Sequence, residues 1–460
     1  MDDDTIAAIA TAVGEASLGV VRMSGPQALA IADRLFRGVN GRRLAEAPTF
    51  TVHYGWIVDP ATGADVDEVL TCVMRAPKSY TREDVVEFSG HGGLVGVRRI
   101  LDAALASGAR LAEPGEFTRR AFLNGRIDLA QAEAVLALIR ATHDAAHAAT
   151  VQQLHGGLST AIHTVRDRLL ALQAHLEVRV DFPEEELGAW SPEAVRAELR
   201  ILDREVGALV TAAERGRVRA HGCVTVICGR PNVGKSSLLN AMLRRDRAIV
   251  TPIPGTTRDT IEELIMLEGL PVRLVDTAGL ADSVDPVGRA GIHRSREALH
   301  QADIALWVLD RAEPLTPQDL AIAELLHGRR AVVALNKVDL PPRLSVEQVH
   351  AVIPDTPVVP VAAREARGIE ALEGQLVRLI QRAHPADAAV PLVTNVRHLE
   401  ALQQAQAALR QAQATATAPS SPELLVVDVR EALDHLGAIT GDAVTDELLE
   451  TIFSQFCIGK

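Results

Sequence analysis

Residues 229–236 of this chain, Gly-Arg-Pro-Asn-Val-Gly-Lys-Ser, restrict its possible folds more than any other segment. They follow an apolar run at 224–228 and precede a stretch with helical spacing of apolar residues at 236–245. Glycines at both ends allow the backbone to wrap a polyphosphate, and a helix N-terminus adds partial positive charge. The pattern predicts a buried strand, a phosphate-binding loop and a helix, in which Lys235 reaches the outer phosphates and the Ser236 hydroxyl binds Mg²⁺.

Three further motifs indicate that the nucleotide is GTP. Asp276 begins Asp-Thr-Ala-Gly at the end of an apolar strand, where a carboxylate acts on Mg²⁺ through water and the glycine N–H contacts the γ-phosphate. Asp339 ends Asn-Lys-Val-Asp, and its carboxylate accepts both donors of guanine, a match that adenine does not offer. Thr257 lies between the phosphate loop and Asp276, and it supplies a second hydroxyl for Mg²⁺.

The residues that would position the attacking water are unusual. Many small GTPases carry Gln directly after Asp-x-x-Gly, but this chain has Leu280 there, which has no polar group. Asn232, together with the carbonyls of Thr251 and Ile253, provides oxygen ligands for a monovalent cation near the β/γ bridge. Such a cation would offset the charge that develops during hydrolysis, as an arginine finger does.

Composition excludes several classes of protein. No apolar run approaches the roughly 18 residues of a membrane span, and the chain begins Met-Asp-Asp-Asp, unlike a basic targeting segment, so a cytoplasmic protein is expected. The net charge of −13 argues against a general nucleic-acid coat, although it allows a local basic patch. The four cysteines form no Cys-x-x-Cys pair, so neither disulfides nor a zinc site is predicted.

The order of elements predicts a multidomain α+β and α/β protein. Residues 1–121 alternate strands near 19–23, 50–58, 69–75 and 83–88 with helices near 25–36 and 93–105. Helical spacing fills 122–219, with Asp128 and Ser191 as helix N-caps, and it resumes over 385–460. The simplest arrangement is one discontinuous helical domain into which the nucleotide domain, 220–384, is inserted.

Within residues 1–121, Arg22 and Glu87 stand at strand ends beside the Gly-rich turn at 89–93. From the residues alone, this pair is more often a surface ion pair than a site of chemistry.

The sequence closely resembles the tRNA modification GTPase family MnmE, also called TrmE, over essentially its whole length. The resemblance rests on Gly-His-Gly-Gly at 90–93, Pro-Gly-Glu-Phe at 114–117 and the run 119–134. It extends to Asp-Phe-Pro-Glu-Glu at 181–185, residues 229–240, and the terminal Phe-Cys-Ile-Gly-Lys at 456–460.

The resemblance implies a fold and a function. Members have an N-terminal domain that dimerises and binds a tetrahydrofolate derivative (5,10-methylene- or 5-formyltetrahydrofolate), a helical domain, and an inserted Ras-like P-loop G domain. With the FAD-dependent partner MnmG they form a larger complex. This complex adds an aminomethyl or carboxymethylaminomethyl group at C5 of the wobble uridine, U34, of certain tRNAs. Potassium-dependent dimerisation of the G domains drives their GTP hydrolysis.

The resemblance also assigns residues. It places folate on Arg22, Glu87, Arg126 and Lys460, the potassium ion on Asn232, Thr251, Ile253 and Thr256, and Mg²⁺ on Ser236 and Thr257. The GTP-binding residues it implies are Asn232, Val233, Gly234, Lys235, Ser236, Ser237, Thr251, Ile253, Thr256, Thr257, Asp276, Thr277, Ala278, Gly279, Asn336, Lys337, Asp339, Ala362, Ala363 and Arg364.

Two positions depart from the family pattern. Gly288 stands where the family usually carries a glutamate that acts on the attacking water, and glycine does no such work. Asp285, three residues earlier, is the candidate substitute, with Asn232 and Lys235 completing the expected catalytic set. Ala362 replaces the usual serine before the backbone N–H that meets guanine O6, which should leave affinity intact.

Two alternatives stay open at this point. Cys457, beside a one-carbon carrier, is either a nucleophile or part of a packed tail, and packing is the simpler interpretation. The competing function is a GTPase switch, for instance a ribosome assembly factor, that has no folate chemistry. Arg22, Glu87, Arg126 and the terminal Cys-Ile-Gly-Lys favour the modification enzyme, because a switch needs no one-carbon site.

Overall fold

The computed structural model describes residues 4–39, 41, 43–181, 191–245, 262–276, 299, 302–383, 393–417 and 422–460. Contacts between residues divide the chain into two compact units. One consists of Met1–Ala137, Leu154–Arg166 and Leu433–Lys460, and the other of Leu138–Gln153 and Asp167–Ala432.

The first unit contains a seven-stranded sheet. Its strands are β1 (Ile6–Ile9), β2 (Leu18–Ser24), β3 (Phe36–Gly38), β4 (Thr51–Val58), β5 (Asp65–Met74), β6 (Val85–His91) and β7 (Arg110–Leu111), in the spatial order β3-β4-β5-β6-β2-β1-β7. Neighbours are antiparallel except β1 and β7. Helices α1 (Ala28–Leu35) and α2 (Leu94–Ala106) supply buried Ile31, Leu35 and Ile100 to the core of this unit.

The structure adds elements that the sequence pattern did not predict in this region. Strand β1 has only four residues and β7 only two, too short for periodicity to identify. Helix α3 (Glu116–Leu123) was not predicted either. It begins after Gly115, which has φ of +69° and offers no side-chain cap that would mark a helix start in the sequence. The Gly-rich segment at 89–93, predicted to be a turn, is partly strand, because β6 continues through His91.

The second unit contains a six-stranded sheet. Its strands are β8 (Cys223–Cys228), β9 (Glu262–Leu267), β10 (Leu270–Asp276), β11 (Ile304–Asp310), β12 (Ala331–Asn336) and β13 (Val358–Pro360), in the order β13-β12-β11-β8-β10-β9. All neighbours are parallel except the edge strand β9. Helices α8 (Lys235–Arg245), α9 (Pro317–Leu326), α10 (Val346–His350) and α11 (Ile369–Ala383) complete this α/β fold. Apolar side chains cover both faces of the sheet.

Seven further helices lie among the described residues. They are α4 (Leu129–Arg140), α5 (Asp144–Leu154), α6 (Gly157–Asp181), α7 (Pro192–His221), α12 (Val396–Thr417), α13 (Pro422–Thr440) and α14 (Asp446–Phe453). Both predicted N-caps are confirmed: Gln131 N–H donates to Asp128 Oδ1 at 2.8 Å, and Ala194 N–H donates to Ser191 Oγ at 3.2 Å. None of the helices in the described ranges is long and apolar enough to cross a membrane.

The six-stranded sheet is inserted between helices that pack on each other. Helix α7 precedes the sheet in sequence and α12 follows it, yet Gln406 Nε2 donates to the Asp203 carbonyl at 3.5 Å and Gln413 Nε2 to the Leu199 carbonyl at 3.4 Å. The predicted fold class, an α+β N-terminal domain, a discontinuous helical domain and an inserted P-loop G domain, is therefore confirmed. The limits 121, 219 and 384 stay predictions.

Candidate functional site

The phosphate loop lies at the carboxyl edge of the six-stranded sheet, between β8 and α8. Strand β8 is central, paired with β10 and β11, so the loop is supported from both sides. A Cβ on Gly229, where φ is +147°, would lie 2.5 Å from the Val308 carbonyl oxygen. A Cβ on Gly234, where φ is +101°, would lie 2.3 Å from Asn336 Nδ2. Both positions therefore require glycine, for close approach as well as for backbone conformation.

Lys235 is held on the loop that precedes it. Its Nζ donates to the carbonyl oxygens of Gly229 at 2.9 Å and Arg230 at 3.0 Å, and the residue is only 8% exposed. Burial lowers the pKa of the Lys235 ammonium, an effect that the carboxylate of Asp276 opposes. The result is a fixed cation within a turn of backbone N–H groups, which suits a polyphosphate.

Two oxygen-bearing side chains meet beside the loop. Ser236 Oγ is the first hydroxyl of α8, and Asp276 ends β10 with 4% exposure. Ser236 Oγ donates to Asp276 Oδ2 at 3.4 Å. Hydroxyl and carboxylate oxygens are the ligands that Mg²⁺ prefers, so the donor set fits the predicted ion.

Asn336 joins the phosphate loop to the segment expected to bind the base. The side chain is 2% exposed; its Nδ2 donates to the Val233 carbonyl at 2.8 Å, and its Oδ1 accepts the Ala363 N–H at 3.1 Å. Asp339 lies in the turn after β12, exposed, and within the described residues its carboxylate has no hydrogen bond or ion pair. An exposed, unengaged carboxylate at this position is free to accept the two donors of guanine.

Lys337 reinforces the same connection. Its Nζ donates to the Asn232 carbonyl at 3.0 Å and forms an ion pair with Asp310 Oδ2 at 2.6 Å. Asp310 ends β11 and is 5% exposed, so it fixes the ammonium against the sheet. Asn232 itself has φ of +65°, a left-handed conformation that asparagine tolerates better than most residues. The loop is thus tied to β11 and β12 by two side chains.

Arg230 of the phosphate loop forms further ion pairs that the sequence analysis did not identify. Its guanidinium forms an ion pair with Glu313, and its Nε lies 3.3 Å from Asp319 Oδ2, close enough for an ion pair although not aligned as a hydrogen bond. Asp319 is 1% exposed, and it also accepts the Thr316 N–H at 2.9 Å in the capping box of α9. The Thr-Pro-Gln-Asp signature at 316–319 predicts that cap, but not its arginine partner.

Several predicted residues lie outside the described part of the chain. They are Thr251, Ile253, Thr256, Thr257, Thr277, Ala278, Gly279, Leu280, Asp285 and Gly288.

In the first unit, Arg22 and Glu87 face each other on paired strands β2 and β6. Arg22 Nε donates to Glu87 Oε1 at 2.6 Å, with 18% and 25% of the side chains exposed. The Arg22 guanidinium lies 5.7 Å from the ring centre of Phe117 and 5.8 Å from that of Tyr80. The guanidinium of Arg126 lies 4.8 Å from the same Tyr80 ring. The guanidinium groups of Arg22 and Arg126 therefore share one aromatic ring, Tyr80, which the sequence analysis missed.

The C-terminal tail joins this group. Arg22 Nη1 donates to the Gly459 carbonyl at 3.3 Å, and the Phe117 N–H donates to the Lys460 carbonyl at 3.1 Å. A Cβ on Gly459, where φ is +95°, would lie 2.3 Å from the Ile9 carbonyl oxygen, so only glycine fits there. Gly459 is buried, whereas the Cys457 thiol is exposed, so the choice between a nucleophile and a packed residue at Cys457 stays open. Aromatic residues are scarce at 3% of the chain, and that scarcity is the signal that could have singled out Tyr80.

His91, the second residue of the Gly-His-Gly-Gly segment, contacts Asp67 through both its backbone and its imidazole. The ring Nδ1 of His91 lies 2.8 Å from Asp67 Oδ1, and the backbone N–H of His91 donates to Asp67 Oδ2 at 2.8 Å. The hydrogen bond to Asp67 raises the pKa of the His91 imidazole. A Cβ on Gly92 would lie 2.1 Å from the Ala16 carbonyl, which explains the glycine that follows.

Comparisons with known proteins show which proteins this chain resembles. A family model described as the GTP-binding protein TrmE N-terminus matches residues 5–126, and one described as the MnmE helical domain matches residues 129–457. The chain is 47% identical over 458 residues to a protein of Geobacillus kaustophilus named tRNA modification GTPase MnmE, covering 99% of each chain. It is 50% identical over 461 residues to a protein of the same name from Symbiobacterium thermophilum, covering all of both. Among solved structures, the G domain of the T. maritima FeoB iron transporter is 23% identical over 35% of this chain and 99% of its own, with a TM-score of 0.27.

Proposed function

The chain belongs to the MnmE family of tRNA modification GTPases, and from that membership and its phosphate loop we propose that it hydrolyses GTP in the modification of tRNA. The observation that carries the nucleotide half of the proposal is Asn336, which joins Val233 of the phosphate loop to Ala363 beside the expected base. One buried side chain thereby couples the recognition of phosphate and base.

We assign the nucleotide contacts as follows. Lys235 and the N–H groups of the loop hold the phosphates, and Asp339 accepts the two donors of guanine. The N–H of Ala363 already donates to Asn336, so guanine O6 either shares that donor or takes the neighbouring N–H of Arg364. The remaining residues assigned to the nucleotide and Mg²⁺ are Val233, Gly234, Ser236, Ser237, Thr257, Asp276, Thr277, Ala278, Gly279, Lys337 and Ala362.

Hydrolysis in this chain has to proceed without a glutamine at 280 or a glutamate at 288. We propose that Asn232, Thr251, Ile253 and Thr256 hold a potassium ion, which supplies positive charge at the phosphates. We further propose that Asp285 orients the water. Turnover should therefore be slow, and faster in potassium than in sodium. An Asp285→Ala variant with unchanged turnover would remove Asp285 from this role.

We propose that the group around Arg22 binds a reduced folate. The cations Arg22 and Arg126 suit a glutamyl carboxylate, Glu87 suits a pterin with N–H donors, and the Tyr80 ring offers a stacking face. Lys460 adds a further cation from the tail. In this function a 5,10-methylene- or 5-formyltetrahydrofolate supplies only the methylene carbon that joins C5 of U34 in tRNA to the nitrogen of the aminomethyl or carboxymethylaminomethyl group. The chain acts in the cytoplasm as a homodimer with an FAD-dependent MnmG-type partner.

The test of the nucleotide assignment is calorimetry of the full-length protein with Mg²⁺ and either GTP or ATP. GTP should bind and ATP should not. The Asp339→Asn variant should lose GTP and gain xanthosine triphosphate, because an amide donates to the carbonyl that xanthine has in place of the 2-amino group. Preference for ATP by the unaltered protein would overturn the proposal.

The folate assignment has its own test. The full-length protein is titrated with 5-formyltetrahydrofolate, and the Arg22→Gln variant serves as the comparison. Saturable binding that Arg22→Gln weakens supports one-carbon chemistry. If GTP binds but folate does not, the chain is a GTPase switch without that chemistry.

A further inference from the structure

Four arginines lie along one side of helix α7 (Pro192–His221). At about 100° of rotation per residue, their positions fall within an arc of roughly 100°, and they extend about 28 Å along the axis. The same arc carries the small residues Ala197, Ala208 and Thr211, all of which are exposed. We call these four residues the arginine row; they are Arg200, Arg204, Arg215 and Arg219.

The carboxylates of α7 that follow its first turn are mostly engaged elsewhere. Arg168 of α6 donates to Glu198 Oε1 at 2.7 Å and to Glu205 Oε1 at 2.8 Å. These two carboxylates lie about 40–60° beyond the arc of the arginine row. Arg410 of α12 lies 3.4 Å from Asp203 Oδ1, on another side. Neighbouring helices therefore engage three carboxylates of α7, and none of these three forms an ion pair with Arg200, Arg204 or Arg219.

Three members of the row form no ion pair with any described residue. Within the ranges that the structure describes, no carboxylate lies within ion-pair distance of Arg200, Arg204 or Arg219. Glu193, at the start of α7, pairs with Arg196 at 2.7 Å instead. Unpaired guanidinium groups on a surface attract polyanions, because each contact releases a counterion from the polyanion.

The guanidinium groups of the first two members are also held in place. Arg200 Nε donates to the Arg196 carbonyl at 3.2 Å, and Arg204 Nε donates to the Arg200 carbonyl at 3.4 Å. The Nε of each arginine thus donates to a carbonyl one helical turn earlier, and the two terminal guanidinium nitrogens can donate to phosphate oxygens. The two residues are about 6 Å apart along the helix. A row of fixed, planar donors is suited to successive phosphates of one strand.

We propose that the arginine row binds the phosphate backbone of the RNA that this protein modifies, which rests on the proposed function. The chain as a whole carries a net charge of −13, so general attraction to nucleic acid is absent and binding must be local. Within the arc, the exposed residues between the arginines are Ala208 and Thr211, which are small and not aromatic. This favours contact with phosphates over stacking on bases. The row therefore positions the RNA and does not read its sequence.

The test uses the full-length protein and an unmodified tRNA transcript. The Arg200→Gln/Arg204→Gln variant removes two charges and keeps good helix formers in α7. Its affinity for tRNA at 0.1 M salt should fall about tenfold. The slope of log K against log [KCl] should become shallower by about two, one for each lost phosphate contact. The loss should be similar for tRNAs of different sequence, because the contacts are to phosphate.

The matched control is Arg378→Gln/Arg382→Gln, two arginines at the same i,i+4 spacing on exposed positions of α11. This control should keep the affinity and salt slope of the unaltered protein. Equal losses in both variants would show a general effect of charge and overturn the inference. Unchanged tRNA affinity in the Arg200/Arg204 variant would mean a solvated face or an acidic protein partner, and the proposed function would stand without the row. If the unaltered protein hydrolyses GTP but binds no tRNA, the RNA half of the proposed function fails as well.

Discussion

The Nη1 atom of Arg22 donates to the carbonyl oxygen of Gly459 at 3.3 Å, although 437 positions separate the two residues. The same guanidinium bonds Glu87 across the sheet at 2.6 Å. The end of the chain therefore helps to shape the group of residues that we assign to folate. Neither partner of Arg22 is its neighbour in sequence, so both depend on the completed fold.

Deletion of residues 457–460 should weaken binding of 5-formyltetrahydrofolate at least tenfold, since it removes the tail contacts to Arg22 and Phe117 as well as the Lys460 cation. Equilibrium titration measures the affinity. The control is Cys457→Ser, which keeps the backbone contacts and should bind folate as before. If the deletion binds as tightly as the intact chain, the tail has no part in the site.

Asn336→Ala should raise the dissociation constant for GTP by one to two orders of magnitude, a loss of about 1–3 kcal/mol from two buried hydrogen bonds. The loop carbonyl of Val233 and the N–H of Ala363 would both lose their partner. Titration with a fluorescent guanine nucleotide measures the change. Gln348→Ala, which removes an exposed amide from the capping box of α10, is the control and should leave nucleotide affinity unaltered.

Arg230→Gln and Asp319→Asn should each reduce GTP affinity, and the double variant should be little worse than either. The reason is that both substitutions break the same ion pair, so their effects are not additive. Arg230→Gln should also lower the free energy of unfolding by about 1–3 kcal/mol, because it leaves the buried Asp319 carboxylate without its cation. Additive losses in the double-mutant cycle would contradict this coupling.

The thiols should differ in reactivity. Burial raises the pKa of the Cys223 and Cys228 thiols to about 12, whereas the Cys457 thiol is exposed. At pH 8, iodoacetamide should modify Cys457 first, while Cys223 and Cys228 react only after unfolding, because the thiolate is the nucleophile. Peptide mass spectrometry after timed labelling gives the order. Rapid labelling of Cys228 in the native protein would contradict the buried strand β8.

The His91–Asp67 pair should make stability depend on pH. Asp67 raises the pKa of folded His91, so the stabilising contribution is fully present below the ordinary histidine pKa of about 6.5 and is lost as the pH rises through the raised value. Urea unfolding between pH 5 and pH 8 should show this decline. The decline should be weaker in His91→Gln, and an identical pH profile in that variant would exclude the pair as its cause.

The nucleotide site could be predicted from sequence alone because each of its motifs is a short, contiguous segment of the chain. The phosphate loop lies directly between a strand and a helix, and Gly229 and Gly234 are required by backbone conformation at their own positions. Helix starts such as Asp128 and Ser191 were also predictable, since a cap is formed by residues three apart. Short strands such as β1 were missed because four residues carry too little periodicity.

The sequence by itself thus determined that a phosphate-binding G domain interrupts a helical domain, together with the residue types at its nucleotide motifs. Tertiary structure alone decided that Arg22 and Arg126 lie at the Tyr80 ring and that Arg22 bonds the Gly459 carbonyl. It also decided that Arg230 pairs with Asp319 and that, within the described residues, no carboxylate lies within ion-pair distance of Arg200, Arg204 or Arg219. The physical reason is that these contacts join residues far apart in the chain. Strand register and helix packing bring them together, and the spacing of residues within one element does not specify either.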